Sequence, residues 1–341
     1  MTKALMTTSI ILGATMVITS HHWLMAWVGL EINMLAILPM ISKPKTTRST
    51  EATTKYFLTQ TVASIMLLMA STTNAWQTGT WNITQINNMY SSTIMILALA
   101  TKMGAAPFHF WFPEVLQGSS TTTAMIISSW QKIAPTAMMY MISNNPQTTI
   151  LTLVGLLSML VGGMGGINQT QMRKMMAYSS ISNTGWTTMM MAIAPNIAMF
   201  NMLIYIIMII PTFMMMSSTS TKTLQNMSTM WATSPMLTYL MTLLMLSTSS
   251  LPPLTGFMPK LIMLNELIKQ ELPILAMTTA LLSLINLLFY MRIAYLSAML
   301  TPPTTSASMM KWRQQTKQPN MMTMLIPTAL LSLLTIPAIP N

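Results

Sequence analysis

Apolar residues along this chain fall in blocks of about twenty rather than in alternation. A helix needs about 20 mostly apolar residues to cross the hydrocarbon core of a bilayer. Scanning for such blocks predicts about eleven spans: residues 4–20, 21–41, 56–75, 91–113, 121–143, 148–167, 175–194, 197–217, 235–268, 273–296 and 321–339. The blocks are too long for strands and lack a period of two, which argues against a β-barrel. The expected fold class is all-α, a polytopic transmembrane helix bundle.

The block at 235–268 is too long for one straight span. It contains Pro252 and Pro253, then Pro259 and Lys260. Adjacent prolines remove two N–H donors and clash with the preceding turn, so this helix is expected to break near mid-membrane. A milder interruption is expected in the fourth span, where Gly104 and Pro107 follow Lys102. Broken spans at the fourth and ninth positions suggest two five-span repeats, 1–143 and 148–300, followed by a loop and C-terminal helix at 301–341. An odd number of spans per repeat inverts the second copy, and inverted repeats with discontinuous helices are a transporter signature.

Charge sharpens the topology. The sixteen Lys and Arg outnumber the five acidic residues, and no Asp is present. When alternate connections are assigned to the side of Lys3, that side receives Lys43, Lys45, Arg48, Lys55, Arg173, Lys174, Lys222, Arg292, Lys311, Arg313 and Lys317. The other side receives Lys269 alone, and Lys102, Lys132 and Lys260 fall inside spans. Basic residues gather on the cytoplasmic or matrix side of a membrane, which puts the N-terminus there. The net charge of +11 is thereby accounted for without a nucleic-acid partner. The opening apolar block is read as the first span rather than a signal peptide, because no A-x-A cleavage site follows it. An Arg-rich transit peptide is also absent, which fits synthesis inside an organelle.

Only 6% of residues are charged, against about 25% in soluble domains. The chain has no cysteine, which excludes disulfides, thiolate catalysis and Cys-ligated metal or iron–sulfur sites. The 44 methionines suit sliding helix surfaces. Their even spread favours a biased genetic code or base composition, as in animal mitochondrial genomes.

Candidate chemistry rests on four ionisable residues deep in the spans: Glu31, Lys102, Lys132 and Lys260. Each costs about 2.5–3.5 kcal/mol on insertion scales, so together they cost roughly 10–14 kcal/mol before pairing. Structural ion pairs are one explanation, but three lysines against one glutamate make a poor staple. Burial disfavours a lysine's charge and a carboxylate restores it, so a buried lysine with a changing partner can capture and release a proton. Prolines accompany each lysine: Pro107, Pro135 and Pro259. His109, seven residues after Lys102, would share its helix face and is either a relay or a histidine held by one hydrogen bond. His21 and His22, beside Trp23, read as interface residues. Glu51, Glu114, Glu266 and Glu271 lie near span ends and are expected to be solvated. Gly162, Gly163, Gly165 and Gly166 lack the Lys-Ser/Thr of a phosphate loop and read as close helix packing. Dinucleotide fingerprints, haem ligand pairs and metal clusters are missing, so this chain alone is expected to do no redox chemistry.

The stretches HHWLMAWVGLEINMLAILPMI (21–41), EATTKYFLTQTVASIMLLMA (51–70), ATKMGAAPFHFWFPEVLQGSS (100–120), WQKIAPTAMMY (130–140) and LPPLTGFMPKLIML (251–264) carry a resemblance. The sequence is similar to the chain 2 family of animal mitochondrial NADH–ubiquinone oxidoreductases, the antiporter-like membrane-arm subunits of respiratory complex I. The resemblance implies that Glu31 pairs with Lys102, that Lys132 is the central relay, and that Lys260 lies in the second broken helix. It implies proton uptake from the matrix and release outside, driven by distant quinone reduction. The FMN, iron–sulfur clusters, NADH and ubiquinone of the whole complex would be held elsewhere. Implied partners are neighbouring antiporter-like subunits and inner-membrane lipids, cardiolipin among them. Bacterial relatives carry three further N-terminal helices, so another subunit would fill the groove those helices cover. Two rival readings use the same residues: a stand-alone cation/proton antiporter, and a membrane-arm scaffold whose buried charges are silent.

Overall fold

The apolar blocks fold as helices in the computed structural model, which describes residues 2–86, 88–143, 147–232, 235–298 and 320–331. In chain order these are α1 (Thr2–Thr19), α2 (Trp23–Ser42), α3 (Thr47–Thr78), α4 (Met89–Met103), α5 (Trp111–Gly118), α6 (Thr121–Ser128), α7 (Trp130–Ile142), α8 (Thr148–Ile167), α9 (Met172–Met191), α10 (Pro195–Ser218), α11 (Leu224–Thr229), α12 (Pro235–Ser249), α13 (Phe257–Lys269), α14 (Pro273–Ala298) and α15 (Asn320–Leu331). Every predicted block through 273–296 is helical over most of its length. The last is helical over Asn320–Leu331, and its remainder lies outside the described residues. So do Lys311, Arg313 and Lys317 and most of the expected 301–341 segment. Among the described residues four helices, α2, α8, α10 and α14, are individually long and apolar enough to cross a membrane.

Local chemistry sets the helix ends. Proline is tolerated in a first turn, where its missing N–H has no partner to lose, and α10, α12 and α14 each begin on one. Polar side chains cap other starts: Thr46 and Ser49 form a capping box on α3, while Asn88 and Ser120 cap α4 and α6. His22 caps α2 through Nδ1, 3.3 Å from the Leu24 N–H, and stacks on Trp81.

Three blocks are interrupted rather than the two expected. In the fourth, Gly104 takes the left-handed conformation (φ 75°) that an L side chain resists, and its N–H bonds back to the Ala100 and Thr101 carbonyls. Helix resumes only at Trp111. The ninth is open from Ser250 to Gly256, across the paired prolines. The fifth breaks at Ser129, with neither Gly nor Pro at the break. There the Ser128 and Ser129 hydroxyls both donate to the Met125 carbonyl, at 3.0 and 2.7 Å, and such back-bonding competes with the helical ladder. Pro135 sits inside α7 without ending it, so the break belongs before Lys132 rather than after it. The short helix α11 is a further element that the apolar pattern did not predict.

The chain forms two compact units, one of Met1–Val161 with Ser180–Met199, the other of Gly162–Ser179 with Phe200–Asn341. They do not coincide with the expected five-span segments. Within each unit, several helix ends and connections meet in pairs. In the first, Ile83 N–H donates to the His21 carbonyl, Lys55 pairs with Glu114, and Tyr140 donates to Asn196. In the second, Gln171 bridges Thr223 and Arg292 donates to the Ile167 carbonyl at 2.9 Å.

Close helix crossings use glycine where backbones approach. In the first unit Gly155 and Gly185 face one another; a Cβ on Gly155 would stand 2.9 Å from the Gly185 carbonyl, and one on Gly185 2.7 Å from that of Gly155. In the second unit Gly163 and Gly166 abut Ile285 and Phe289 of α14, and Gly165 abuts Tyr178. The glycine run is a packing surface, as its sequence suggested.

Candidate functional site

The lysines singled out from the sequence are buried: Lys102 is 4% exposed, Lys132 2% and Lys260 8%. Each stands beside a helix interruption, but on different ends. Lys102 is in the last turn of α4. Lys132 is the third residue of α7, and Lys260 the fourth of α13, and neither helix start has a side-chain cap. A helix carries partial negative charge at its C-terminus and partial positive charge at its N-terminus, each effective within about one turn. Lys102 therefore sits at the negative end of its helix, whereas Lys132 and Lys260 sit in the first turns of theirs, at the positive end. Proline at the third position of α13, Pro259, fits because that N–H would be unpaired in any case.

In the first unit, Lys132 Nζ donates to the Ser180 carbonyl of α9 at 3.2 Å and lies 4.8 Å from the centre of the Phe112 ring. Beside it, Gln131 Nε2 donates to the Tyr56 hydroxyl of α3 at 2.9 Å. Tyr56 meets Trp111 edge-on, and the Trp111 indole donates to the Thr101 carbonyl at 3.2 Å, next to Lys102. Glu31, half-buried on α2, is in electrostatic reach of both Lys102 and Tyr56. Among the described residues Glu31 and Lys102 make no direct ion pair. Hydrogen bonds and a ring contact thus link Gln131, Tyr56, Trp111 and the Thr101 carbonyl in a seam between the sequence neighbours Lys132 and Lys102. Lys260 lies in the second unit.

His109 is buried, but the helical-face argument for it fails. The helix ends at Met103, and His109 lies in the interruption, with Nδ1 3.3 Å from the Pro107 carbonyl and its ring against Phe110. Glu51 and Glu114 are exposed as expected, yet both hold Lys55. A partnership across fifty-nine residues carries no sequence signal. Tyr56 and Gln131 were also missed, because neither is charged and their contact spans seventy-five positions. Among the described residues no cluster of three metal-ligating side chains occurs.

At the exposed cluster, Lys55 is held above its ordinary value chiefly by its hydrogen bond to Glu114, then by Glu51. Glu51 is held below its ordinary value by Lys55. A raised lysine contributes fully at lower pH and is lost above its folded value; a lowered carboxylate contributes at higher pH and is lost below its folded value. The cluster is thus constant across the neutral range. Glu114→Gln should lower thermal stability in detergent by the same small, salt-screened amount from about pH 6 to pH 9.

Comparison with known proteins places this geometry. Residues 20–286 match the family model described as NADH:quinone oxidoreductase/Mrp antiporter, transmembrane, and residues 287–341 match NADH dehydrogenase subunit 2, C-terminus. The chain is 47% identical over 333 residues to NADH-ubiquinone oxidoreductase chain 2 of Tetraodon nigroviridis, covering 97% of this chain and 94% of that one. It is 44% identical over 338 residues to the protein of the same name from Gallus gallus, covering 99% and 96%. Among solved structures, respiratory complex I from Thermus thermophilus contains a chain superposing with a TM-score of 0.84 at 22% identity, over 98% of this chain and 79% of that one. The Mrp complex from Dietzia gives 0.78 at 18% identity, over 90% and 64%.

Proposed function

Because the chain belongs to the NADH-ubiquinone oxidoreductase chain 2 family, we propose that its buried lysines and Glu31 form a proton relay within that enzyme's membrane arm. Family membership makes the chain an antiporter-like, multi-pass subunit of the mitochondrial inner membrane and part of a proton-pumping NADH:ubiquinone oxidoreductase. In the proposal, Lys132 is the central station. Lys102 and Glu31 form the adjoining station, Lys260 the station of the second broken helix, and His109 an auxiliary one. The observation that carries this reading is the siting of three buried lysines at helix interruptions. Membrane-embedded charge is expensive, and retained charge marks ion pathways; backbone freed by an interruption is tolerated where it lines a polar path.

The relay has no redox group of its own in this reading, and FMN, iron–sulfur clusters, NADH and ubiquinone act in other subunits. Its partners are neighbouring membrane-arm subunits, with cardiolipin among the surrounding lipids. The five-span segments 1–143 and 148–300 are inverted repeats, and the N-terminus faces the matrix. Orientation is testable because the chain has no cysteine. Gln77→Cys should react with an impermeant maleimide in intact mitoplasts, whereas Thr47→Cys should react only after the inner membrane is opened. The reverse pattern would invert the topology. The relay itself is tested by neutral substitution of the four residues, with protons pumped per NADH as the readout; normal ratios in all four assembled variants would favour a scaffold.

A further inference from the structure

The seam contains a polar pair that the relay reading leaves unused. Tyr56 is fully buried, and its hydroxyl oxygen accepts from Gln131 Nε2 at 2.9 Å. That leaves the hydroxyl's own proton free to turn toward the negative charge of Glu31, which lies in electrostatic reach. On the other side of the pair, Gln131 Oε1 is buried without a partner. A buried, unsatisfied acceptor is costly and calls for a reason.

A half-turn of the Gln131 amide supplies one. With Nε2 toward Tyr56, the hydroxyl proton is free to turn toward Glu31 and Oε1 is orphaned. With the amide reversed, the hydroxyl donates to Oε1, turning away from Glu31. The first arrangement is favoured while Glu31 is charged, and the second once Glu31 is neutralised. Each reverses the amide dipole in the residue that directly precedes Lys132.

We propose that the Tyr56–Gln131 pair is a positioning element that transmits the charge state of Glu31 to Lys132. It rests on the relay reading above and adds two residues that touch neither station's proton directly. Trp111 supports it mechanically, packing edge-on to Tyr56 while its indole is anchored to the Thr101 carbonyl.

The test uses the whole assembled enzyme reconstituted in liposomes, with Lys132→Ala, Glu31→Gln, Tyr56→Phe and the double variant Glu31→Gln/Tyr56→Phe compared. Tyr56→Phe removes one oxygen and keeps the ring. It should lower coupled kcat by a factor within about 2- to 160-fold, the range of couplings between contacting side chains, with KM for NADH and quinone unchanged. It should have no further effect in the Glu31→Gln background, where no charge remains to transmit. A structural role would instead lower kcat by the same factor in both backgrounds and would overturn the inference. Wild-type kcat in Tyr56→Phe would also overturn it, while leaving the relay intact if Lys132→Ala is impaired. If Lys132→Ala pumps normally, the relay reading falls and takes this one with it. Should Tyr56→Phe fail to assemble, Gln131→Met is the second variant, with the same expected loss and the same silence beside Glu31→Gln.

Discussion

Lys132→Ala should assemble in normal amount and lower coupled proton pumping by about tenfold or more. The magnitude follows from what positioned proton transfer contributes, roughly 10²–10⁴-fold, reduced for any path that bypasses the residue. Assembly should survive because the side chain is a burden to the fold. A lysine at the centre of a span costs about 2.5–3.5 kcal/mol; a backbone carbonyl and an aromatic ring are among the contacts that offset that cost here. Replacing a buried charge by an apolar group is often neutral or stabilising. Native electrophoresis and the ratio of protons to NADH separate the two effects. Full assembly with normal pumping would leave Lys132 without a role in transport.

Gly256→Val should prevent assembly altogether. Gly256 closes the third interruption, directly before α13, and a Cβ there would run into the Ser247 carbonyl and stand 3.3 Å from Met208 Sδ. The thioether can move aside, but the carbonyl belongs to α12 and cannot yield without shifting the helix. Overpacking costs about 1–3 kcal/mol when side chains adjust and more when backbone must move, so the loss is expected to exceed the upper figure. Lys260 lies four residues further on and would be displaced with the start of α13. Retention of the variant in the mature complex, measured by quantitative immunoblot of the native band, would contradict this account.

These residues also show how much could be read before the fold was known. Membrane spans are legible because the bilayer imposes a length on every apolar block. Lys102, Lys132 and Lys260 are legible because each violates that apolar rule. The break after Lys102 is announced by Gly104, and the break before Lys260 by two prolines. The break at Ser129 is not, since serine hydroxyls bend a helix only when they turn back on its carbonyls, and composition does not show which way they turn. His109 was misplaced for the converse reason: counting seven residues assumes that the helix continues. Tyr56 and Gln131 carry no charge and lie on separate helices, so only tertiary packing reveals them. The Lys55–Glu114 pair was hidden in the same way.

The interruptions have one more consequence. A continuous α-helix moves as a rod, its two ends tied together by an unbroken ladder of bonds. At residues 104–110, at Ser129 and at 250–256 that rod becomes jointed, and each joint stands within a few positions of a buried lysine. A push of about 1–2 Å on one segment, the usual scale of helix shifts, need not travel into the other. The joint can take it up, beside the lysine.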